Sequence, residues 1–286
     1  MLELIEISHF NGRRKGDSIM SGGIITLLTD FGGRDGYAGI MKGMLLSCDP
    51  ELKVVDLTHE VEPFAVTSAA YILYSAWDFF PEGTVFCVVV DPGVGSSRGI
   101  VLASVKERTV IAPDNGVISL LHRMYPGLEV FSLKSNHPAL PKGASATFHG
   151  RDIFAPAAAL LASGMGEELK GEAVKPVISE SFNIHDDSGR QILHSRIIHI
   201  DRFGNSISAI HSGDLKGGLK DGRSFVRLKI GSRVVTEMTR TYTEAEAGIP
   251  VCLFGSSNFL EMAVRQGSAA QLLGISIGDE ISLYYR

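Results

Sequence analysis

The first half of the chain alternates short apolar runs, rich in β-branched residues, with longer segments whose apolar positions recur at helical spacing. The predicted strands cover residues 24–29, 53–57, 84–90, 100–105, 109–112 and 129–133, and the predicted helices cover 37–47, 64–79, 117–124 and 153–163. Pro50 ends the first predicted helix, because the residue before a proline is disfavoured in helical geometry. This alternation predicts an α/β N-terminal domain with a largely parallel sheet covered by helices.

The pattern changes near residue 185. Short runs separated by Gly and Asp turns follow, at 192–200, 206–210, 224–230, 233–238, 251–254 and 281–285, with one helix-like segment at 259–265. Such spacing predicts a C-terminal, mainly antiparallel β domain or small barrel. We therefore expect a poorly ordered N-terminal extension at 1–22, an α/β domain at 23–187 and a β domain at 188–286.

Composition and charge narrow the classes of function. The chain has 286 residues and a formal net charge of −5, with acidic and basic residues interspersed. Nucleic acid and anionic membrane surfaces are therefore poor partners. No apolar stretch approaches the ~20 residues that span a bilayer, and no signal core opens the chain, so a cytoplasmic protein is expected.

Cysteine and histidine spacing gives no sign of a metal site. Cys48, Cys87 and Cys252 are far apart and form no C-x-x-C pair, so each is expected to be a small buried apolar residue. No two histidines occur at i, i+4 or in H-x-H spacing.

The stretch from Val88 to Gly99 carries the first candidate chemistry. A β-branched run ends in Asp91, and a proline and glycine-rich loop then leads to Arg98. Proteins of the α/β class place chemistry at the carboxyl ends of their strands. A dinucleotide site is disfavoured, because a strand rather than a helix follows the glycines. The alternative is a tight connection in which Asp91 caps a turn.

Four further motifs also have simple structural interpretations. Asp30-Phe31-Gly32 matches a kinase tripeptide but lacks the other kinase motifs, so Asp30 either binds a ligand hydroxyl or ends a strand in a turn. Before the predicted helix at 153–163, Asp152 is a candidate N-cap and Arg151 a candidate partner of a carboxylate. Residues 201–205 are typical of a turn. Ser256 and Ser257 are typical of helix caps for the helix-like segment 259–265.

Taken in order, seven motifs resemble the S-adenosyl-L-methionine (SAM) hydroxide adenosyltransferases, which are the hydrolase relatives of the fluorinases and chlorinases. The motifs are Thr29–Gly32, Asp56–His59, Val90–Gly95 with Arg98, Ala112–Gly116, Phe148–Asp152, Asp201–Asn205 and Gly255-Ser256. They extend the resemblance over residues 24–286.

The resemblance implies an activity and an assembly. The activity is hydrolysis of SAM to adenosine and methionine by an activated water or hydroxide that attacks C5′ of the ribose. No cofactor and no metal are implied. The assembly is a homotrimer with the ligand between neighbouring subunits. Two alternatives stay open at this point, a SAM-dependent halogenase that uses chloride and a non-catalytic module that binds adenosine or SAM.

The resemblance also implies roles for individual residues. Asp91, Arg98 and His149 correspond to the set associated with the attacking water. The halogenases carry a tyrosine at the position of Asp91 and a serine at that of Gly150, so this sequence fits the water-using branch. The positions implied in substrate binding are Asp30, Asp35, Gly36, Tyr37, Phe64, Phe148, Gly150, Asp201, Asn205, Ser256, Ser257, Glu261 and Val264.

Overall fold

The computed structural model describes residues 22–187, 189, 191–215 and 225–286. Almost all of the predicted N-terminal extension, 1–21, lies outside these described residues, as does the first residue of the predicted strand 224–230. The chain divides into two compact units, of which the first ends at Ile178 and the second begins at Ser179.

The first unit is an α/β structure. Its elements in chain order are β1 (Ile24–Thr29), α1 (Tyr37–Cys48), β2 (Lys53–Thr58), α2 (Val66–Trp77), β3 (Val85–Val89), β4 (Ile100–Val105), β5 (Arg108–Pro113), α3 (Ser119–Met124), β6 (Glu129–Leu133), a π-helical turn (Gly150–Phe154), α4 (Ala155–Ala162), α5 (Gly166–Leu169) and β7 (Lys170–Ala173).

One sheet of seven strands, in the order β2-β1-β3-β5-β4-β6-β7, forms the centre of this unit. The first four strands of that order run parallel, and the three remaining pairings are antiparallel. The prediction of a largely parallel sheet with helices is confirmed. It did not include β7 or α5.

Two apolar layers cover the sheet, one on each face. Helices α1 and α4 pack over one face, and α2 and α3 pack over the other. Strand β3 is buried along its whole length, because Cys87 enters the first layer while Phe86 and Val88 enter the second. A strand that is covered on both faces has no polar alternation, which explains its continuous apolar run.

The second unit is a β structure. Its elements are β8 (His185–Asp187), β9 (Ile192–Ile200), β10 (Ser206–His211), β11 (Phe225–Ile230), β12 (Arg233–Val235), β13 (Pro250–Phe254), β14 (Phe259–Val264), α6 (Ala269–Leu273) and β15 (Glu280–Tyr285). The strands follow the antiparallel order β12-β11-β15-β9-β10-β14-β13, and β8 also pairs with β9. A bridge between Met238 and Cys252 brings the two ends of this order together, so the sheet is a nearly closed barrel. The prediction of a barrel-like antiparallel domain is confirmed.

The predicted helix at 259–265 is wrong, because these residues form strand β14. All six residues of β14 are buried, and the strand pairs with β10 on one side and β13 on the other. Asn258 has φ 61° and closes the hairpin between β13 and β14. Ser256 and Ser257 therefore lie in a hairpin turn and are not helix caps. The predicted strand 233–238 is also shorter, since β12 ends at Val235.

The expected loop before α4 differs as well. Residues 150–154 form a π-helical turn that continues directly into α4. Asp152 is not the N-cap of α4, because it lies inside this turn and accepts a hydrogen bond from the Ser145 amide at 2.8 Å. The expected pairing of Arg151 is confirmed, with Arg151 Nε 2.5 Å from Asp152 Oδ1.

No described helix combines the length and the hydropathy that crossing a bilayer requires.

Cys87 and Cys252 are buried as expected, and burial raises the pKa of the Cys87 thiol to about 12. Cys48 is only half-buried at the end of α1.

Candidate active site

The sheet of the first unit reverses its strand order between β1 and β3. From β1 the chain passes through α1 to β2 on one side, and it returns through α2 to β3 on the other side. Because α1 and α2 cover opposite faces, the carboxyl ends of β1 and β3 form a topological switch point, where α/β sheets bind ligands. Thr29 pairs with Val89, so Asp30 and Asp91 both follow at this edge.

Three of the predicted site residues form one cluster at this edge. Arg98 Nε lies 2.9 and 2.8 Å from the two carboxylate oxygens of Asp91, and Arg98 Nη2 also contacts Asp91 Oδ2. The same Nη2 atom lies 3.0 Å from His149 Nδ1. The side chains of Arg98 and Asp91 are only 10% and 4% exposed, so this ion pair is held largely away from water.

The contact with Arg98 sets the protonation of His149. A guanidinium only donates hydrogen bonds, so the Nδ1 atom that faces it must accept, and the neutral ring then carries its hydrogen on Nε2. Burial, and after it the positive charge of Arg98, lowers the pKa of His149, while Asp91 and Asp152 act in the opposite direction. His149 is therefore neutral near pH 7.

The loop from Asp91 to Gly99 is fixed at both of its ends. Asn115 Nδ2 donates to the Val90 carbonyl at 2.9 Å, and the amide of Asp114 donates to the Gly99 carbonyl at 3.0 Å. Within the loop, the Gly93 amide donates to Asp91 Oδ1, so the predicted turn cap is also present. Sequence reasoning assigned no role to Asn115, although its Asp-Asn-Gly turn signal was visible.

A glycine lets this loop approach the segment that carries His149. Gly95 has φ 76°, and a Cβ atom there would lie 2.5 Å from the carbonyl oxygen of Ala146. Only glycine accommodates both that backbone geometry and the close approach. The loop therefore packs directly on Ala146, in the segment that leads into the π-helical turn.

An aromatic group lies beside the cluster. The rings of Phe31, Tyr37 and Phe148 have centroids 5.3 to 6.0 Å apart, in tilted and edge-to-face arrangements. Gly150 lies under this group, since a Cβ atom there would meet Met41 Sδ at 3.1 Å as well as the Phe148 and Phe31 rings. Arg98 is placed over the Phe154 ring, with its guanidinium carbon 5.7 Å from the centroid.

Asp30 and Phe64 are in direct contact at the same edge. The Phe64 amide donates to Asp30 Oδ2 at 2.9 Å. Phe64 has φ 69°, an unfavourable backbone geometry for a residue of this size, and its side chain is 69% exposed. An exposed aromatic ring on a strained backbone is typical of a ligand-binding position. Asp35 and Gly36 lie exposed in the turn before α1.

The predicted site residues of the second unit occupy two loops and one strand. The carboxylate of Asp201 accepts from the amides of Phe203 and Asn205 and from the Asn205 side chain, each at 2.9 Å. Glu261 lies buried on β14, where burial raises its pKa against the hydrogen bond that the Tyr242 hydroxyl donates to it. Val264 belongs to the barrel core, so its side chain is packed inside the barrel.

The structure thus brings together Asp91, Arg98 and His149 in one cluster and Asp30 with Phe64 in one contact. Phe148 and Tyr37 join a single aromatic group. Among the described residues, no three His, Cys, Asp or Glu side chains are grouped closely enough to hold a metal ion.

Comparisons with known proteins give relatives over almost the whole chain. The family model of the SAM hydroxide adenosyltransferase N-terminal domain matches residues 25–170, and that of the C-terminal domain matches residues 195–282. The (R)-S-adenosyl-L-methionine hydrolase of Thermus thermophilus is 37% identical, and the alignment covers 91% of this chain and 98% of the relative. The hydrolase of the same name from Methanocaldococcus jannaschii is 32% identical over 92% of this chain and 96% of that protein.

A more distant relative and a solved structure complete the comparison. The fluorinase of an Actinoplanes species is 26% identical over 91% of this chain and 97% of its own length. The crystal structure of an uncharacterized conserved protein from Thermotoga maritima superposes with a TM-score of 0.80 at 34% identity, and covers 91% of this chain and 99% of that one.

Proposed function

Because the chain belongs to the SAM hydroxide adenosyltransferase family, we propose that it hydrolyses SAM to adenosine and L-methionine. Water, held as an incipient hydroxide, attacks C5′ of the ribose in line with the bond to sulfur. The sulfonium leaves as neutral methionine, so the leaving group needs no acid. The step that the protein must assist is the formation of the nucleophile, since water has a pKa of about 15.7.

The observation that carries this proposal is the cluster of Asp91, Arg98 and His149 at the carboxyl edge of β3. Arg98 is a permanent cation, and because Asp91 and His149 engage its Nε and Nη2 groups, Nη1 is the group that donates to the water. Asp91 neutralises and orients Arg98. The proton that the water loses passes to the Asp91 carboxylate, while neutral His149, which faces Arg98 through Nδ1 and carries its hydrogen on Nε2, orients the guanidinium. A positioned base contributes on the order of 10²–10⁴ in rate, and in-line positioning of the water supplies much of the rest.

Residues of the first unit bind the nucleoside in this proposal. Asp30 accepts hydrogen bonds from the ribose hydroxyls, and it has one carboxylate oxygen engaged by Phe64. The turn at Asp35 and Gly36, with Tyr37, lines the ribose or methionine end. The exposed ring of Phe64 and the aromatic group around Phe148 and Gly150 supply flat apolar surface.

Residues of the second unit complete the site from a neighbouring subunit of a homotrimer. Asp201 and Asn205 meet the methionine or adenine side, and Ser256, Ser257 and Glu261 line the remainder, whereas the Val264 side chain packs inside the barrel and supports β14 from there. Phe203, between Asp201 and Asn205, is 75% exposed, and Phe64 in the first unit is 69% exposed. Assembly that encloses a ligand gives both rings a partner surface. Because SAM is made inside cells, we place this activity in the cytoplasm.

A chloride-using halogenase fits less well. Asp91 brings a negative charge to the place where a halide would lie, and the hydrolases of Thermus thermophilus and Methanocaldococcus jannaschii are more similar to this chain than the Actinoplanes fluorinase is. Halide binding by Arg98 would also compete with its ion pair to Asp91.

Incubation with SAM, with and without saturating chloride, followed by chromatography of the products tests the function. We expect equimolar adenosine and methionine under both conditions. Formation of 5′-chloro-5′-deoxyadenosine would identify a halogenase. Retention of intact SAM over hours would identify a binding module without turnover.

A further inference from the structure

A chain of polar contacts joins α1, β2 and β1 next to the carboxyl end of β1. Lys42 Nζ lies 2.5 Å from Asp56 Oδ2, and Asp56 Oδ1 lies 3.0 Å from His59 Nε2. His59 Nδ1 is 2.8 Å from Thr29 Oγ1. Thr29 Oγ1 in turn accepts a hydrogen bond from the Phe31 amide at 3.3 Å. The chain of contacts therefore ends on the two residues that flank Asp30.

The direction of each hydrogen bond follows from the charge of Asp56. Burial raises the pKa of that carboxyl, but the hydrogen bonds from Lys42 and His59 outweigh burial and hold the pKa below its ordinary value. The Asp56 carboxylate faces His59 Nε2, so the hydrogen of the imidazole lies on Nε2 and Nδ1 accepts from the Thr29 hydroxyl. The Thr29 oxygen then has a lone pair left for the Phe31 amide.

The main chain of His59 holds the same loop a second time. The Gly32 amide donates to the His59 carbonyl at 2.7 Å. His59 thus contacts Thr29 through its side chain and Gly32 through its backbone, which brackets Asp30. The imidazole is 12% exposed and Thr29 is fully buried, so neither contact is easily replaced by water.

We propose that His59 is a positioning residue for substrate binding. Through Thr29 it fixes the loop after β1, and so aims the Asp30 carboxylate at the ribose hydroxyls. This inference rests on the proposed function, in which Asp30 binds the ribose. His59 itself touches neither the substrate nor the reacting water. Its effect therefore falls on affinity for ligands that carry ribose hydroxyls.

Two substitutions of His59 each retain only one of the two contacts that its ring nitrogens make. In His59→Asn the amide oxygen takes the place of Nδ1 and still accepts from Thr29. In His59→Gln the amide nitrogen takes the place of Nε2 and reaches only Asp56. Affinity for adenosine and for 2′,3′-dideoxyadenosine is measured by calorimetry on the full chain, with circular dichroism to confirm folding.

We expect His59→Gln to weaken adenosine binding about tenfold and His59→Asn to weaken it less than about threefold, because one buried hydrogen bond separates them. Binding of the dideoxy ligand stays at the parent value in both, since it has no hydroxyls for Asp30 to hold. Equal losses for the two ligands, or equal effects of the two substitutions, would overturn the positioning role and leave His59 as a general stabiliser.

Thr29→Val and Thr29→Ser test the same hydrogen bond between Thr29 and His59 from the Thr29 side. The valine keeps the buried shape without the hydroxyl and is expected to reproduce the loss seen in His59→Gln, whereas the serine restores adenosine affinity. If Thr29→Val binds adenosine as the parent does, the relay through Thr29 is wrong.

Asp30→Ala distinguishes failure of this inference from failure of the function. We expect His59→Gln to add no further loss of adenosine affinity in an Asp30→Ala background, because the two residues act through one contact. A full additional loss would contradict the inference. If Asp30→Ala alone binds adenosine normally, then both the ribose role of Asp30 and the positioning role of His59 are wrong, while product analysis still decides hydrolysis separately.

Discussion

The loops at 201–205 and 91–98 each begin with an aspartate whose carboxylate caps its own turn, but only the second aspartate also contacts a residue that leads out of its loop. In the loop at 201–205, Asp201 accepts the amide of the residue two positions later, and the hydrogen bonds to its carboxylate from the described residues come from Phe203 and Asn205. In the loop at 91–98, Asp91 also accepts the amide two positions later. Its carboxylate, however, also pairs with Arg98, and the Arg98 guanidinium contacts His149, which lies outside this loop.

The loop at 201–205 is thus a local turn, whereas the loop at 91–98 is part of a tertiary cluster. The Asp201 carboxylate stabilises the geometry of its own loop. The Asp91 carboxylate holds a cation that in turn holds a titratable ring 51 positions away from Arg98. Reactive centres in enzymes have this second form, because a reacting water needs several groups placed around one point. The following predictions test that distinction.

The largest effect is expected from Asp91→Asn. The substitution keeps the shape of the side chain but removes the charge that pairs with Arg98. Turnover of SAM at saturating substrate should fall by about 10²–10⁴, while adenosine still binds. Asp78→Asn is the matched control, since Asp78 pairs with Lys106 on the surface. Parent-like turnover of Asp91→Asn would remove Asp91 from the water-activating set.

A smaller effect is expected from Asn115→Asp. A carboxylate cannot donate to the Val90 carbonyl, so the start of the loop at 91–98 loses its anchor. We expect turnover to fall about tenfold with adenosine affinity unchanged. Asp114→Asn changes the neighbouring residue while its side-chain oxygen can still accept from the Val177 amide, and should turn over as the parent does. Equal loss of turnover in Asn115→Asp and Asp114→Asn would show that the Asn115 side chain does not specifically anchor the loop.

The pH dependence of turnover gives a more gradual effect. Protonation would place a hydrogen on His149 Nδ1, facing the Arg98 cation, so activity should fall as pH falls through the pKa of His149. Burial and Arg98 lower that pKa, which places the acid limb below pH 6.5. The limb should be missing in His149→Ala, which keeps only residual turnover. An acid midpoint above pH 6.5 would contradict the assigned contact.

The smallest effect on turnover is expected from Asp201→Asn. The new side chain keeps an oxygen that accepts from the amides of Phe203 and Asn205, so the turn persists. Turnover at saturating SAM should stay within about threefold of the parent, and any loss should appear in the KM for SAM. A loss of turnover comparable to that of Asp91→Asn would erase the distinction between the two loops.

Much of this architecture follows from the sequence because local signals agree with the fold. The apolar run of β3 and the proline that ends α1 at Cys48 both predict their elements. Strand β14 was missed because its residues are buried on both faces and all but Glu261 are apolar, which gives no period of two to separate a strand from a buried helix. The π-helical turn at 150–154 depends on tertiary contacts that no local pattern encodes.

The candidate site was accessible to sequence reasoning only in part. Asp91 and Arg98 stand in one conspicuous loop, and the family resemblance supplied His149. Asn115 and His59 lay in motifs that the resemblance contained, yet their partners are the Val90 carbonyl and the Thr29 hydroxyl. Contacts to a backbone carbonyl and to a neighbouring strand leave no mark on residue spacing, so only the fold reveals them.

Turnover of SAM in water enriched with oxygen-18 tests the central claim most directly. The account predicts that mass spectrometry finds one labelled oxygen in the adenosine, at its 5′ hydroxyl, and none in the methionine released with it. Unlabelled adenosine, or no adenosine at all, would contradict attack of water on C5′.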